Sequence, residues 1–312
     1  MLSAARDSAK RASEGAVLAS RYSSSMLLLR SLLSSTSSST SSPSVLRVAS
    51  FGDTLVPYVE ALSLQESIAD ARKAGALKSD IVLSLQHASV YTLGKRARQE
   101  ADLLPSAAAV AARASAEVVD SPRGGQATWH GPGQAVLYPV LLLRGNRIGV
   151  RRYMEELEAS LVSVATRLGV EGARAGSGTG SPGAWVDVPF ESDCGSDSAT
   201  HSPSLKIGAV GVRVSGGVAT HGAALNVKPD LKVFEAIVPC GDEGASPTSV
   251  AVELARRHRR LRELVPPYEE VELDVAKIGI ELAEELARRL RYDRVERVEI
   301  EDLRKELSRL GF

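Results

Sequence analysis

Cys240 and Lys206 are the side chains of this 312-residue sequence whose type and setting invite covalent chemistry. The stretch Val238-Pro239-Cys240-Gly241-Asp242-Glu243-Gly244 places a thiol between a proline and a glycine. That surrounding bends the backbone sharply, which can expose the sulfur and aim neighbouring N–H groups at a developing oxyanion. A lone cysteine is just as often a small buried apolar residue. Lys206 opens the apolar run Ile207–Val214, and taken alone reads as a strand-end charge whose ammonium reaches water. The two become nucleophile and base only if folding brings them together, and their spacing along the chain does not decide that.

A second kind of site is suggested by Arg123-Gly124-Gly125-Gln126-Ala127-Thr128-Trp129-His130-Gly131-Pro132-Gly133-Gln134. Four glycines and a proline in twelve residues make a rigid loop where a ligand can lie against bare backbone, with Arg123, Thr128, His130 and Gln134 supplying polar groups. A plain turn needs fewer glycines, so a substrate-binding loop is expected. Other formal motifs fail. Gly178-Thr179-Gly180-Ser181-Pro182-Gly183 has the dinucleotide-loop spelling, but no strand leads in and no helix follows. No phosphate loop of the G-x-x-x-x-G-K-[ST] type is present. The five histidines (His87, His130, His201, His221, His258) are scattered without paired ligand spacing, so no metal site is expected.

The elements that would position these residues follow from periodicity. Leu55, Val59, Leu62 and Ile68 recur at helical spacing behind Asp53 and Thr54, either of which could cap the helix. Ile81–Leu85 and Ala135–Leu143 read as buried strands, and Leu157, Leu161, Val164 and Leu168 as an amphipathic helix. Lys206–Val214 and Val218–Val227 flank Ser215-Gly216-Gly217 as a hairpin. Helices are expected after Ser249 and through Val275, Ile278, Leu282, Leu286 and Leu290. Residues 189–203 read as a solvated loop insertion and residues 291–312 as a charged extension with a peripheral helix. The fold class expected is α+β, one domain over residues 46–290.

Composition bounds the function. Lys plus Arg and Asp plus Glu both number 38, so there is no basic excess for nucleic acid, and no apolar run is long enough to span a bilayer. Two cysteines, Cys194 and Cys240, exclude a disulfide framework. The neutral total is uneven: residues 1–50 hold six bases, two acids and seventeen serines. Arg-bearing, Ser-rich and acid-poor, residues 1–45 read as a mitochondrial transit peptide.

The glycine loop Arg123–Gln134, the run Lys206-Ile207-Gly208-Ala209-Val210-Gly211, the run His221-Gly222-Ala223-Ala224-Leu225-Asn226 and the turn Pro239-Cys240-Gly241 together resemble, in order, the motifs of the lipoyl(octanoyl) transferase family. Val90-Tyr91-Thr92-Leu93-Gly94 is similar to that family's early strand, and the likeness covers roughly residues 46–265. The resemblance implies the biotin/lipoate ligase fold, a mixed β-sheet flanked by helices. It implies transfer of an octanoyl group from octanoyl-acyl carrier protein to a lysine of lipoyl domains, without ATP or another cofactor beyond the donor's phosphopantetheine. Cys240 would match the nucleophile and Lys206 its activating lysine. Arg123, Gly124, Gly125, Gln126, Ala127, Thr128, Trp129 and His130 would match the acyl-substrate loop, with Ala209, Val210, Gly211, Gly222, Ala223 and Ala224 closing the site. Arg144, Arg147, Arg151 and Arg152, or Lys95, Arg96 and Arg98, could meet an acidic carrier protein or be ordinary solvated charge. The alternatives are an ATP-dependent ligase of the same fold and a cysteine-dependent acyl hydrolase.

Overall fold

The computed structural model describes residues 44–98, 102–104, 112, 115–144, 148–176, 181–187, 204–237, 246–262 and 272–312. The expected transit segment lies outside these residues except at its end, where Val45 opens the first strand. The 189–203 insertion, Arg147, Cys194 and Cys240 also lie outside them.

A mixed sheet forms the frame. In spatial order it runs β12 (Arg294–Val298), β1 (Val45–Val56), β2 (Asp80–His87), β6 (Gln134–Leu142), β10 (Val218–Asn226), β9 (Ser204–Ser215), β8 (Ala184–Asp187) and β7 (Ala173–Ala175), with the short β11 (Ser246–Pro247) pairing β9. Parallel pairing is confined to β12–β1–β2 and β11–β9; the remaining pairs are antiparallel. Helices α2 (Val150–Arg167) and α4 (Val275–Arg289) cover one face, where Leu157, Leu161, Ile278 and Leu282 bury against Val82, Leu137 and Leu225. Helix α1 (Tyr58–Lys73) and helix α5 (Ile300–Leu310) cover the other, where Ile68 and Leu303 meet Ile81, Leu83 and Val140. Because the central strands are buried on both faces, β2 is buried at every position and its apolar residues do not simply alternate with polar ones. A helix α3 (Val250–Arg262) follows β11.

A second, three-stranded sheet carries the glycine loop. Its order is β4 (Glu117–Asp120), β3 (Val90–Leu93) and β5 (Ala127–His130). Tyr91, Trp129 and Phe234 of the 3₁₀ turn Leu231–Ala236 form its small core.

The mixed sheet with flanking helices agrees with the expected fold class, and the strands and helices read from periodicity are present. Three readings change. Asp53 and Thr54 do not cap α1; they extend β1, and the helix begins after Pro57 with no side-chain cap. A third of the expected glycine loop is strand, because Ala127–His130 pairs antiparallel with Val90–Leu93. The segment from Arg291 is more than a peripheral helix. Arg294–Val298 adds an edge strand beside β1, and its short, charged alternation is what an exposed edge requires.

Candidate active site

A cleft of about 500 Å³, its open mouth included, lies where the glycine loop meets the β9–β10 hairpin. Its wall contains Arg123, Gly124, Gly125, Gln126, Ala127, Thr128 and His130 on one side, and Ala209, Val210, Gly211, Gly222, Ala223 and Ala224 on the other. Thus the residues matched to the acyl-substrate loop and to the runs closing the site all line this one cleft except Trp129, while Gln134, the last polar group of the glycine loop, lies outside it. Tyr138 and His221, absent from that set, line it too. His221 stood inside a quoted motif. Tyr138 had no signal, because it sits in an apolar strand like any core aromatic.

Small residues are required where the two walls touch. The Gly124 N–H donates to the Val212 carbonyl at 3.0 Å, and a Cβ at Gly211 would lie 3.3 Å from the Gly124 oxygen. Gly125 has φ +93°, a left-handed conformation that favours glycine. The loop is clamped from below by Arg123. Its guanidinium is buried and donates to the Thr92 carbonyl at 2.7 Å and to Thr92 Oγ1, so it organises the loop. Trp129 points the other way. Its indole N–H donates to Ser89 Oγ at 2.9 Å and its ring meets Phe234 edge-on, so it belongs to the core of the small sheet. Strand alternation explains the split, since Thr128 and His130 face the cleft and Trp129 between them cannot.

The scattered histidines prove to be partly gathered. His87 and His130 lie with ring centroids 5.8 Å apart, and Tyr138 stacks edge-on to His221 at 5.8 Å and tilted against His87 at 5.6 Å. Hydrogen bonds fix their tautomers. His87 Nδ1–H donates to the Val56 carbonyl, which leaves Nε2 to accept the Tyr138 hydroxyl at 2.8 Å. Gln134 donates through Nε2 to Asn226 Oδ1, so its Oε1 accepts from His130 Nδ1–H at 2.6 Å. His221 has φ +59°; its N–H is held by Gln65 Oε1, and its Nε2 lies 3.2 Å from the Tyr58 hydroxyl.

Burial, reinforced by the nearby Arg123 charge at His130 and His221, keeps these rings neutral, with pKa values lowered to about 4 for His87 and about 3 for His130 and His221. In the unfolded chain each would titrate near ~6.5. Between those limits the unfolded state binds more protons, so stability falls with falling pH by up to about 1.4 kcal/mol per pH unit for each ring. Urea unfolding from pH 7.5 down to 4 is expected to show this loss beginning below about pH 6.5. A His87→Gln, His130→Gln double variant should have a shallower slope; an unchanged slope would assign the loss to other groups.

Lys206 is buried, and its Nζ donates to the Pro182 carbonyl at 3.0 Å while lying 4.9 Å from the centre of the Trp185 ring. The strand-end reading, with an ammonium in water, is therefore corrected. The pleat turns Lys206 inward, and β8 and β11 cover it on either side. It lines a second, smaller cavity with Thr128, Gln134, Gly208, Ala209, Asn226, Phe234 and Pro247, and Thr128 and Ala209 are shared with the cleft. Asn226 is fixed there by donation to the Thr248 carbonyl. Gln134, Asn226 and Phe234 were not foreseen around Lys206, because only tertiary packing brings them there. The chain that carries Cys240 is described up to Ile237 and again from Ser246, where Ser246-Pro247 pairs with Leu205-Lys206.

Residues 57–287 match the family model of the lipoyl protein ligase A/B catalytic domain. The chain belongs to that family. A mitochondrial octanoyltransferase of Arabidopsis thaliana is 39% identical over 81% of this chain and 92% of its own length. An octanoyltransferase of Mycobacterium ulcerans is 41% identical over 64% of the chain and 77% of its own length. With relatives of that name across most of its length, the chain is an acyltransferase. Among solved structures, a lipoate-protein ligase A bound with ATP superposes with TM-score 0.53 at 15% identity, over 86% of this chain and 93% of that one. A bipartite lipoate protein ligase of Thermoplasma acidophilum gives TM-score 0.53 at 16% identity, over 86% and 91%. At such identities the likeness shows the shared fold alone.

Proposed function

We propose that the protein transfers an octanoyl group from octanoyl-acyl carrier protein to the lipoyl-domain lysine of lipoate-dependent enzymes, through a thioester on Cys240. The observation that carries this reading is the junction of an apolar cleft with a buried lysine. The hairpin side of the cleft presents Ala209, Val210, Gly211, Gly222, Ala223 and Ala224, as a methylene chain requires, and burying such a chain contributes on the order of 0.8 kcal/mol per methylene. The Lys206 cavity shares Thr128 and Ala209 with the cleft, and β11, six residues after Cys240 in the sequence, pairs beside Lys206.

In this reading neutral Lys206 accepts the Cys240 proton, and the thiolate attacks the donor's thioester carbonyl. The oxyanion collapses, the phosphopantetheine thiolate leaves, and the Lys206 ammonium returns the proton to it. In the second half-reaction the neutral lysine amine of the acceptor attacks the Cys240 thioester. The amide forms, the Cys240 thiolate leaves, and the amine's proton passes through Lys206 back to sulfur. Thioester exchange is nearly isoenergetic and amide formation is downhill, so no nucleotide enters. Ping-pong kinetics follow. Mixing the protein with octanoyl carrier protein and measuring its intact mass tests the proposal: an octanoyl adduct that discharges onto a lipoyl-domain lysine supports it. Release of free octanoate instead identifies a hydrolase, and pyrophosphate formed from ATP and lipoate identifies a ligase.

The donor's phosphodiester and its acidic carrier call for basic groups at the mouth. Lys95 and Arg96 are exposed, and their backbone N–H groups donate to the Arg123 and Gly125 carbonyls, which sets them on the rim of the cleft. Among the described residues neither Lys95, Arg96 nor Arg98 takes part in an ion pair, whereas Arg151 and Arg152 are paired with Glu155 and Glu156 of their own helix. Reversing charge at Lys95 and Arg96 is therefore expected to raise the donor KM on the order of ten-fold at low salt, with the difference shrinking at high salt. The same reversal at Arg151 and Arg152 should matter less, and a larger effect there would relocate the docking surface. The Arg- and Ser-rich residues 1–45 and the mitochondrial designation of the Arabidopsis relative together support a mitochondrial location.

A further inference from the structure

Glu158 is wholly buried on α2 beside Leu157 and Leu161, where a carboxylate costs stability unless it is well hydrogen-bonded. Its Oε1 accepts the Gly183 N–H at 2.8 Å. Gly183 follows Pro182, whose carbonyl accepts an N–H of Lys206 Nζ at 3.0 Å. The same turn holds the lysine in two further ways. A Cβ on Gly183 would lie 3.0 Å from Lys206 Cε, and Trp185, whose indole donates to the Ser181 carbonyl, presents its ring to Nζ. The turn is thus a bracket around the lysine, and Glu158 ties that bracket to the long helix behind it.

We infer that Glu158 is a positioning residue for the acyl transfer: by holding the Gly183 N–H it fixes the Pro182 carbonyl, and through it the direction of the Lys206 amine. A lysine side chain has four rotatable bonds, and a base must sit within hydrogen-bond reach of the proton it takes. With one N–H committed to Pro182 and the Trp185 face alongside, Lys206 lines the cavity it shares with Thr128 and Ala209. Without the anchor the turn relaxes and the amine loses that aim. A misplacement of about 1 Å can cost on the order of a hundred-fold in rate.

The inference rests on the transferase reading, so wild type is run alongside the variants. The measured quantities are the single-turnover rate of Cys240 octanoylation, kcat and donor KM, with thermal unfolding as a check on folding. Glu158→Asp keeps the charge but is one methylene short of Gly183, and it is expected to lower kcat about ten- to a hundred-fold with donor KM little changed. Glu158→Gln keeps an acceptor oxygen at full reach and should recover most of that loss. In a Lys206→Ala background Glu158→Asp should lower the residual rate no further, since a residue acting through the lysine is non-additive with it. A wild-type rate for Glu158→Asp, a Glu158→Gln variant as slow as Glu158→Asp, or additive losses in the double variant would each overturn the inference. A wild type that forms no adduct would instead overturn the transferase reading.

Discussion

Cys240→Ser is expected to remove the octanoyl adduct from the intact-mass spectrum and to lower transfer to the lipoyl-domain lysine by at least about a thousand-fold. The hydroxyl differs from the thiol mainly in chemistry. Near neutral pH a free cysteine with a pKa of ~8.5 is a few per cent thiolate and intrinsically very nucleophilic, whereas a serine hydroxyl needs a far stronger base to reach the same reactivity. Serine is close to cysteine in size, so donor binding should persist. The expected pattern is a collapsed kcat with the donor KM within a few-fold of wild type. Retention of an adduct of octanoyl mass in the serine variant would place the acyl group elsewhere and withdraw the nucleophile assignment.

Lys206→Ala should give the second-largest loss, about a hundred- to ten-thousand-fold in kcat, the usual worth of a positioned acid–base group. Both half-reactions route a proton through this amine, so adduct formation and adduct discharge should slow together. Raising the pH should restore part of the adduct-forming rate in Lys206→Ala, because bulk hydroxide then supplies the thiolate that the lysine no longer generates. Lys206→Arg should not rescue: guanidinium stays protonated and cannot accept the proton. An arginine variant with near wild-type kcat would show that charge at this position suffices, and would remove the acid–base role.

Much of this site could be read from local chemistry. The glycines at 124, 125, 131 and 133 mark backbone that must bend or approach another chain segment. Gly133 has φ +83°, and a Cβ on Gly131 would run into the Trp129 ring. Gly216 and Gly217, with φ +60° and +85°, form the tight hairpin turn that brings β9 against β10. These are constraints on a residue and its immediate neighbours, so residue type alone exposes them. The helical stripe Leu157, Leu161, Val164 likewise identified α2, since burial on one face follows directly from a 3.6-residue repeat. The same stripe concealed Glu158, which is buried beside it without any motif around it.

What the sequence determined by itself was the set of chemically capable residues, the motifs that order them, and the alternation of strands and helices that carries them. All of these are properties of short segments. Tertiary structure alone decided which side chains converge. It turned Trp129 away from the cleft and folded Arg123 beneath the loop. It gathered His87, His130 and His221 around Tyr138, and lowered Lys206 from a strand end into a pocket closed by β8 and β11. The reason is register. A strand fixes two faces by its pleat, but which partner meets each face depends on pairings between residues far apart in the chain. His221 and Gln65 meet across 156 positions, and no local pattern carries that information.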